Sequence, residues 1–259
     1  MTEEARRRRP RRARGQIKFE HRLALANWML SLFDVPTFED LAKNMRDPAF
    51  EGINEDGVSR FHQCIKLLFD RPELPHDMLL AYEGNIVRHW KAITERRNAD
   101  GQVLNPKYFQ YLCLLFTEIY LDRYFRNPEK LLADLSAYTA QFNAGQTPQQ
   151  KALGQLFATG LPDDVQVRPY TMEDLRKIAF WSATGSGKTL LMHINILQYQ
   201  HYLKLHGQER DLNRVILLTP NEGLSRQHRD EFQLSGMDAG LFDKDASGLF
   251  TGKGIEIID

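Results

Sequence analysis

The stretch Lys177-Ile-Ala-Phe-Trp-Ser-Ala-Thr-Gly-Ser-Gly-Lys-Thr189 decides how this chain is read. A short apolar run enters a loop of small residues, and Lys-Thr opens a helical pattern that reaches His206 and stops at Gly207. Gly185 and Gly187 have no Cβ, so the loop can turn tightly and aim successive backbone N–H groups at phosphate oxygens. A helix beginning near Lys188 adds the positive end of its dipole at the same point. Lys188 supplies a charge for β- and γ-phosphates, and Thr189 a hydroxyl for Mg²⁺. Ser182 stands where the strict pattern has its first glycine. The spacing predicts a strand over 177–183, a loop that cradles a nucleoside triphosphate, and a helix over 189–206.

Downstream, Arg214–Thr219 reads as a second buried strand ended by Pro220, Glu222–Leu234 as a helix, and Ile255–Ile258 as a third short strand. Strands alternating with helices predict parallel α/β construction. Upstream, residues 19–143 read as helices broken by Pro and Gly: 19–33, a helix after the capping residue Thr37, then 58–69, 77–97, 107–126 and 129–142. The aromatic residues between Tyr108 and Phe125 fall at helical spacing, which favours a core role over base stacking. The expected organisation is a basic tail (1–18), a helical domain (19–143), a linker (144–165) and an α/β lobe (166–259).

Apolar residues make up 42% of the chain and charged residues 26%, the balance of a globular protein with a real core. Net charge is zero but unevenly spread: residues 1–22 hold nine Lys/Arg against three Asp/Glu. Arg6, Arg7, Arg8, Arg9, Arg11, Arg12 and Arg14 form either a solvated tail or a nucleic-acid tether, two compatible readings. Cys64 and Cys113 are too few for a disulfide framework and lack metal-ligand spacing. The apolar run Leu23–Phe33 is far short of the ~20 residues that span a bilayer, and no cleavage site follows it. A cytoplasmic protein is expected. His193, His201 and His206 lie along one helix with no carboxylate or cysteine at ligand spacing, so packing or surface roles are expected.

Ala183-Thr-Gly-Ser-Gly-Lys-Thr189 resembles motif I of superfamily 2 helicases and translocases. Thr219-Pro-Asn-Glu-Gly-Leu-Ser-Arg-Gln227 resembles motif Ia, with Pro220, Leu224 and Gln227 at the family's spacing. Within that superfamily, residues 165–259 are most similar to the DEAD/DEAH-box proteins related to the Res subunit of type III restriction enzymes. The resemblance implies a P-loop NTPase with a RecA-like parallel sheet, here incomplete, preceded by an all-α N-terminal domain. It implies ATP and Mg²⁺ as cofactors, with Thr184, Gly185, Ser186, Gly187, Lys188 and Thr189 binding the nucleotide. Lys188 and Thr189 would be the catalytic positions, and Thr189 the Mg²⁺ ligand. Thr219, Pro220, Asn221 and Gln227 would touch a nucleic-acid strand, DNA in preference to RNA. A nuclease or methyltransferase subunit is the implied partner, and no membrane is. Arg168-Pro-Tyr170 resembles the start of the adenine-reading Q-motif but departs from it at Thr171. Tyr170 is read either as stacking on a base or as a core or hinge residue.

Hydrolysis also needs an Asp-Glu pair at the end of a buried strand. Ile255-Glu-Ile-Ile-Asp259 can be read as the start of that motif. Glu256 interrupts the apolar run expected of a strand buried on both faces, which favours an ordinary strand or edge hairpin. The expectation is the ATP-binding N-terminal part of a helicase or translocase of a restriction or phage-defence system, lacking motif II and the second lobe and inactive alone. The alternative is a non-motor nucleotide-binding or partner-docking module.

Overall fold

The computed structural model describes residues 23–68, 71–101, 103–148, 166–242 and 254–259. The basic tail, Phe69 and residues 149–165 of the expected linker lie outside the described residues.

Among the described residues up to 148 there are six α-helices: α1 Ala24–Leu32, α2 Phe38–Ala42, α3 Arg60–Leu68, α4 His76–Thr94, α5 Tyr108–Arg126 and α6 Pro128–Asn143. Their ends follow local chemistry. The Thr37 hydroxyl accepts the Asp40 N–H at 3.1 Å and starts α2. The Asn127 side chain accepts the Lys130 N–H at 2.9 Å, and Pro128 takes the first position of α6, where a missing N–H costs nothing. At the head of α5 the Gln110 Oε1 accepts the Lys107 N–H at 2.8 Å. Tyr111 and Tyr120 are buried in the main core, and Tyr108, Phe116, Tyr124 and Phe125 pack against it. The aromatic run of α5 is therefore packing, as its helical spacing predicts.

After the expected linker come α7 Lys188–Leu205, β1 Val215–Leu218, α8 Glu222–Leu234, β2 Ala239–Leu241 and β3 Ile255–Ile258. The three strands form a parallel sheet in the order β1-β3-β2. Ile255–Ile258 is thus the central strand rather than an edge hairpin. Glu256 is buried there because Arg214 meets it at 3.0 Å, so the charge that argued against a buried strand is paired. On the face that meets the helices, Phe232, Ala239, Ile255 and Ile257 form a second core with Met192 and Ile196 of α7 and Val215 and Leu217 of β1. The alternate residues of β1, Ile216 and Leu218, are 49% and 74% exposed, which leaves apolar side chains of this strand uncovered.

One expected element is missing. Residues 177–183 are irregular rather than a strand, with Ile178, Phe180 and Trp181 exposed. A strand persists only when a neighbour accepts its ladder hydrogen bonds. Among the described residues β3 is flanked by β1 and β2, and no strand pairs with 177–183.

Helix α7 is buried on two sides. Met192 and Ile196 face the sheet, while Leu191, Ile194 and Tyr202 belong to the core formed by α1–α6. The polar centre of that helical contact is Glu118 of α5, which is fully buried. Its carboxylate accepts from Gln198 Nε2 at 2.7 Å, from Tyr202 O–H at 2.7 Å and from Asn85 Nδ2 at 3.1 Å. Arg97, just after α4, reaches α8, meeting Glu231 at 2.6 Å, while Arg96 donates to the Gln233 carbonyl at 2.7 Å.

Burial pushes the Glu118 carboxyl up to about 7, against the pull of its three donors and of Arg88. The folded chain therefore holds this proton more tightly than the unfolded chain. Stability from this group is greatest below the ordinary carboxylate pKa and falls as pH rises toward 7. Glu118→Gln is expected to gain stability relative to the native chain between pH 5 and 8, by at most about 3 kcal/mol. Urea denaturation across that range measures it; a difference that stays constant with pH contradicts the account.

Candidate functional site

The loop 182–188 has the geometry its glycines promise. Gly185 and Gly187 take φ +77° and +79°, the left-handed region that other residues reach only with strain. The Ser186 N–H closes a turn onto the Ala183 carbonyl at 3.3 Å, and α7 begins at Lys188 with Gly187 as its cap. Lys188 folds back over the loop, its Nζ donating to the carbonyls of Ala183 at 2.8 Å and Ser182 at 3.2 Å. Among the described residues no carboxylate pairs with it, so its charge is held at the loop without a counter-ion. Carbonyl oxygens are weaker partners for an ammonium than phosphate oxygens are, so an arriving anion has a cation to take over. The half-buried Thr189 follows Lys188 in the first turn of the helix, and the Ser186 hydroxyl is buried with no hydrogen-bond partner among the described residues.

These features fit a Mg²⁺-bound triphosphate: a turn that no Cβ obstructs at Gly185, a helix N-terminus, a free cation and two hydroxyls. Thr184 and Gly185 lie exposed on the loop. A largely apolar cavity of about 720 Å³ flanks Lys188 and Thr189, between α7 and β1, with Phe180, Ile196, Tyr199 and Val215 among its walls.

The other expected residues are placed as follows. Tyr170 is half-buried and packs against the main core, and Asp174 near it accepts from the Thr171 N–H and from Arg168. Thr219 follows β1: its N–H donates to the Ile258 carbonyl at 2.8 Å, and its hydroxyl is 2.6 Å from Ser225 Oγ. Asn221 caps α8, its Oδ1 accepting the Leu224 N–H at 3.0 Å. Pro220, Asn221 and Gln227 are exposed, whereas Thr219 is buried. His193 stacks on Phe232 at 4.1 Å with its Nδ1 2.8 Å from Ser235 Oγ, and burial lowers its pKa to about 4. His201 lies 3.2 Å from Arg88, and the His206 ring stacks on Phe125.

One residue at the loop carries no signal in the sequence. Gln110, at the head of α5, donates from Nε2 to the Ser186 carbonyl at 2.9 Å. The two residues are 76 positions apart, and only the packing of α5 on α7 brings them together.

A glycine loop that opens a long helix beside a parallel sheet defines the class of P-loop nucleotide-binding modules. Residues 142–255 match the family described as type III restriction enzyme, res subunit, a DEAD/DEAH helicase-type domain. No curated protein and no solved structure matches the chain.

The two loop glycines differ in what a side chain would meet. A Cβ at Gly185 has open space, whereas one at Gly187 falls 2.5 Å from Gln110 Nε2. Gly185→Ala is expected to show only backbone strain, and Gly187→Ala to lose about 1 kcal/mol more as the Gln110 bond is displaced. Urea denaturation ranks them; equal losses contradict the loop geometry described.

Proposed function

We propose that this chain binds ATP with Mg²⁺ at residues 184–189, as the nucleotide-binding part of a helicase or translocase of a restriction or phage-defence system. The observation that carries the reading is the uncompensated Lys188 ammonium folded over a left-handed glycine turn at the head of α7. Lys188 would take the phosphates, Thr189 the Mg²⁺, and the loop amides the remaining oxygens. Bound Mg²⁺ would neutralise phosphate charge. The likeness of residues 219–227 to motif Ia supports nucleic acid as the partner, with the turn at Pro220-Asn221 exposed after a strand; DNA is preferred to RNA on the family likeness alone. The family suggests a methyltransferase or nuclease subunit as a further partner. A helical domain (19–143) and an ATPase lobe (166–259) remain part of this reading. The cytoplasm is its place; among the described residues no helix is long and apolar enough to cross a membrane.

Binding without turnover is the behaviour expected of this chain. Hydrolysis needs an acidic group to hold Mg²⁺ and orient water. Among the described residues no carboxylate is hydrogen-bonded or ion-paired to Lys188 or Thr189. A second reading, a nucleotide-binding or docking module with no motor function, is favoured by one observation: residues 177–183 do not form the strand that would seat the loop in the sheet.

Titration with a fluorescent ATP analogue and Mg²⁺ is expected to show binding, weakened about tenfold or more in Lys188→Ala. Equal binding by the two proteins sinks the phosphate-site assignment. Phosphate release is expected to stay at background with and without DNA, and DNA-stimulated turnover would overturn the expectation of inactivity.

A further inference from the structure

We infer that Gln110 is a positioning residue of the phosphate loop, through which the N-terminal helices set the loop's readiness for nucleotide. The inference rests on the reading of residues 184–189 as the nucleotide site. Gln110 is 8% exposed, and both ends of its amide are engaged. Oε1 accepts the Lys107 N–H at 2.8 Å, and Nε2 donates to the Ser186 carbonyl at 2.9 Å. The first bond fixes the side chain at the head of α5, so the second is made by a donor that cannot drift.

The consequence lies in the Ser186–Gly187 peptide. The C=O and N–H of a trans peptide point in opposite directions, so a carbonyl tied to α5 turns the Gly187 N–H away from α5. Without the tie, the permissive φ of Gly187 would let this peptide rotate. The loop would then lose one of the oriented N–H groups that a phosphate requires. Gly187 also leaves room for Gln110, since a Cβ there would lie 2.5 Å from Nε2. The loop conformation is therefore a joint property of its own glycines and of a side chain from the helical region. Anything that shifts α5 against α7 would alter nucleotide binding without touching the loop sequence.

Two variants separate this role from capping of α5. Gln110→Glu keeps the acceptor for the Lys107 N–H but has no donor for Ser186 at neutral pH; Gln110→Ala removes both without adding charge. In nucleotide-free protein, the amide cross-peak of Gly187, whose nitrogen is conjugated with the Ser186 carbonyl, is expected to move in both variants. Both variants are expected to lose stability as the Ser186 bond is lost, and affinity of Gln110→Ala for ATP with Mg²⁺ is expected to fall about tenfold. A Gly187 cross-peak unmoved in both variants, or native affinity in Gln110→Ala, would overturn the inference. If the native chain does not bind ATP at all, the nucleotide reading fails, and the cross-peak alone decides the role of Gln110.

Discussion

The structure depends on one buried carboxylate. Glu118 receives hydrogen bonds from Asn85 of α4 and from Gln198 and Tyr202 of α7, in a place with no access to water. A buried charge or polar network of this kind is tolerable only when each group finds its partner, so it specifies how the helices meet. Around it, Leu191, Ile194 and Tyr202 of α7 complete the core of α1–α6. The helix that carries the phosphate loop is thus locked into the helical region before the sheet contributes anything.

That lock determines where the loop can be. With α7 fixed along α5, the head of α5 lies beside the head of α7, and Gln110 comes within 2.9 Å of the Ser186 carbonyl. Helix α8 is tied as well, by Arg96 and Arg97 onto its last turn. The sheet is the less covered part. Ile216 and Leu218 on β1, with Phe180 and Trp181 before the loop, are apolar side chains in solvent.

Much of this was legible in the sequence because it is local. The extent of α8 and β3, the Thr37 cap and the left-handed glycines 185 and 187 all follow from neighbours within a few residues. The segment 177–183 misled because an apolar run states only that a strand is compatible with it; pairing depends on a partner elsewhere in the chain. β2, three residues of Ala-Gly-Leu, is too short to leave a periodic signal. Glu256 looked unfit for a central strand because its partner Arg214 is 42 positions away. Gln110 was invisible for the same reason, and Tyr170 could be placed against the core only once the helices were packed.

The central claim is that phosphates are received at the head of α7 by a loop held from α5. Titrating isotope-labelled native chain with ATP and Mg²⁺ while following its amide cross-peaks tests this most directly. The account predicts that the peaks of residues 184–189 and the side-chain amide of Gln110 move together, saturating at one affinity. Saturable shifts elsewhere in the chain, with residues 184–189 and Gln110 unmoved, would contradict it.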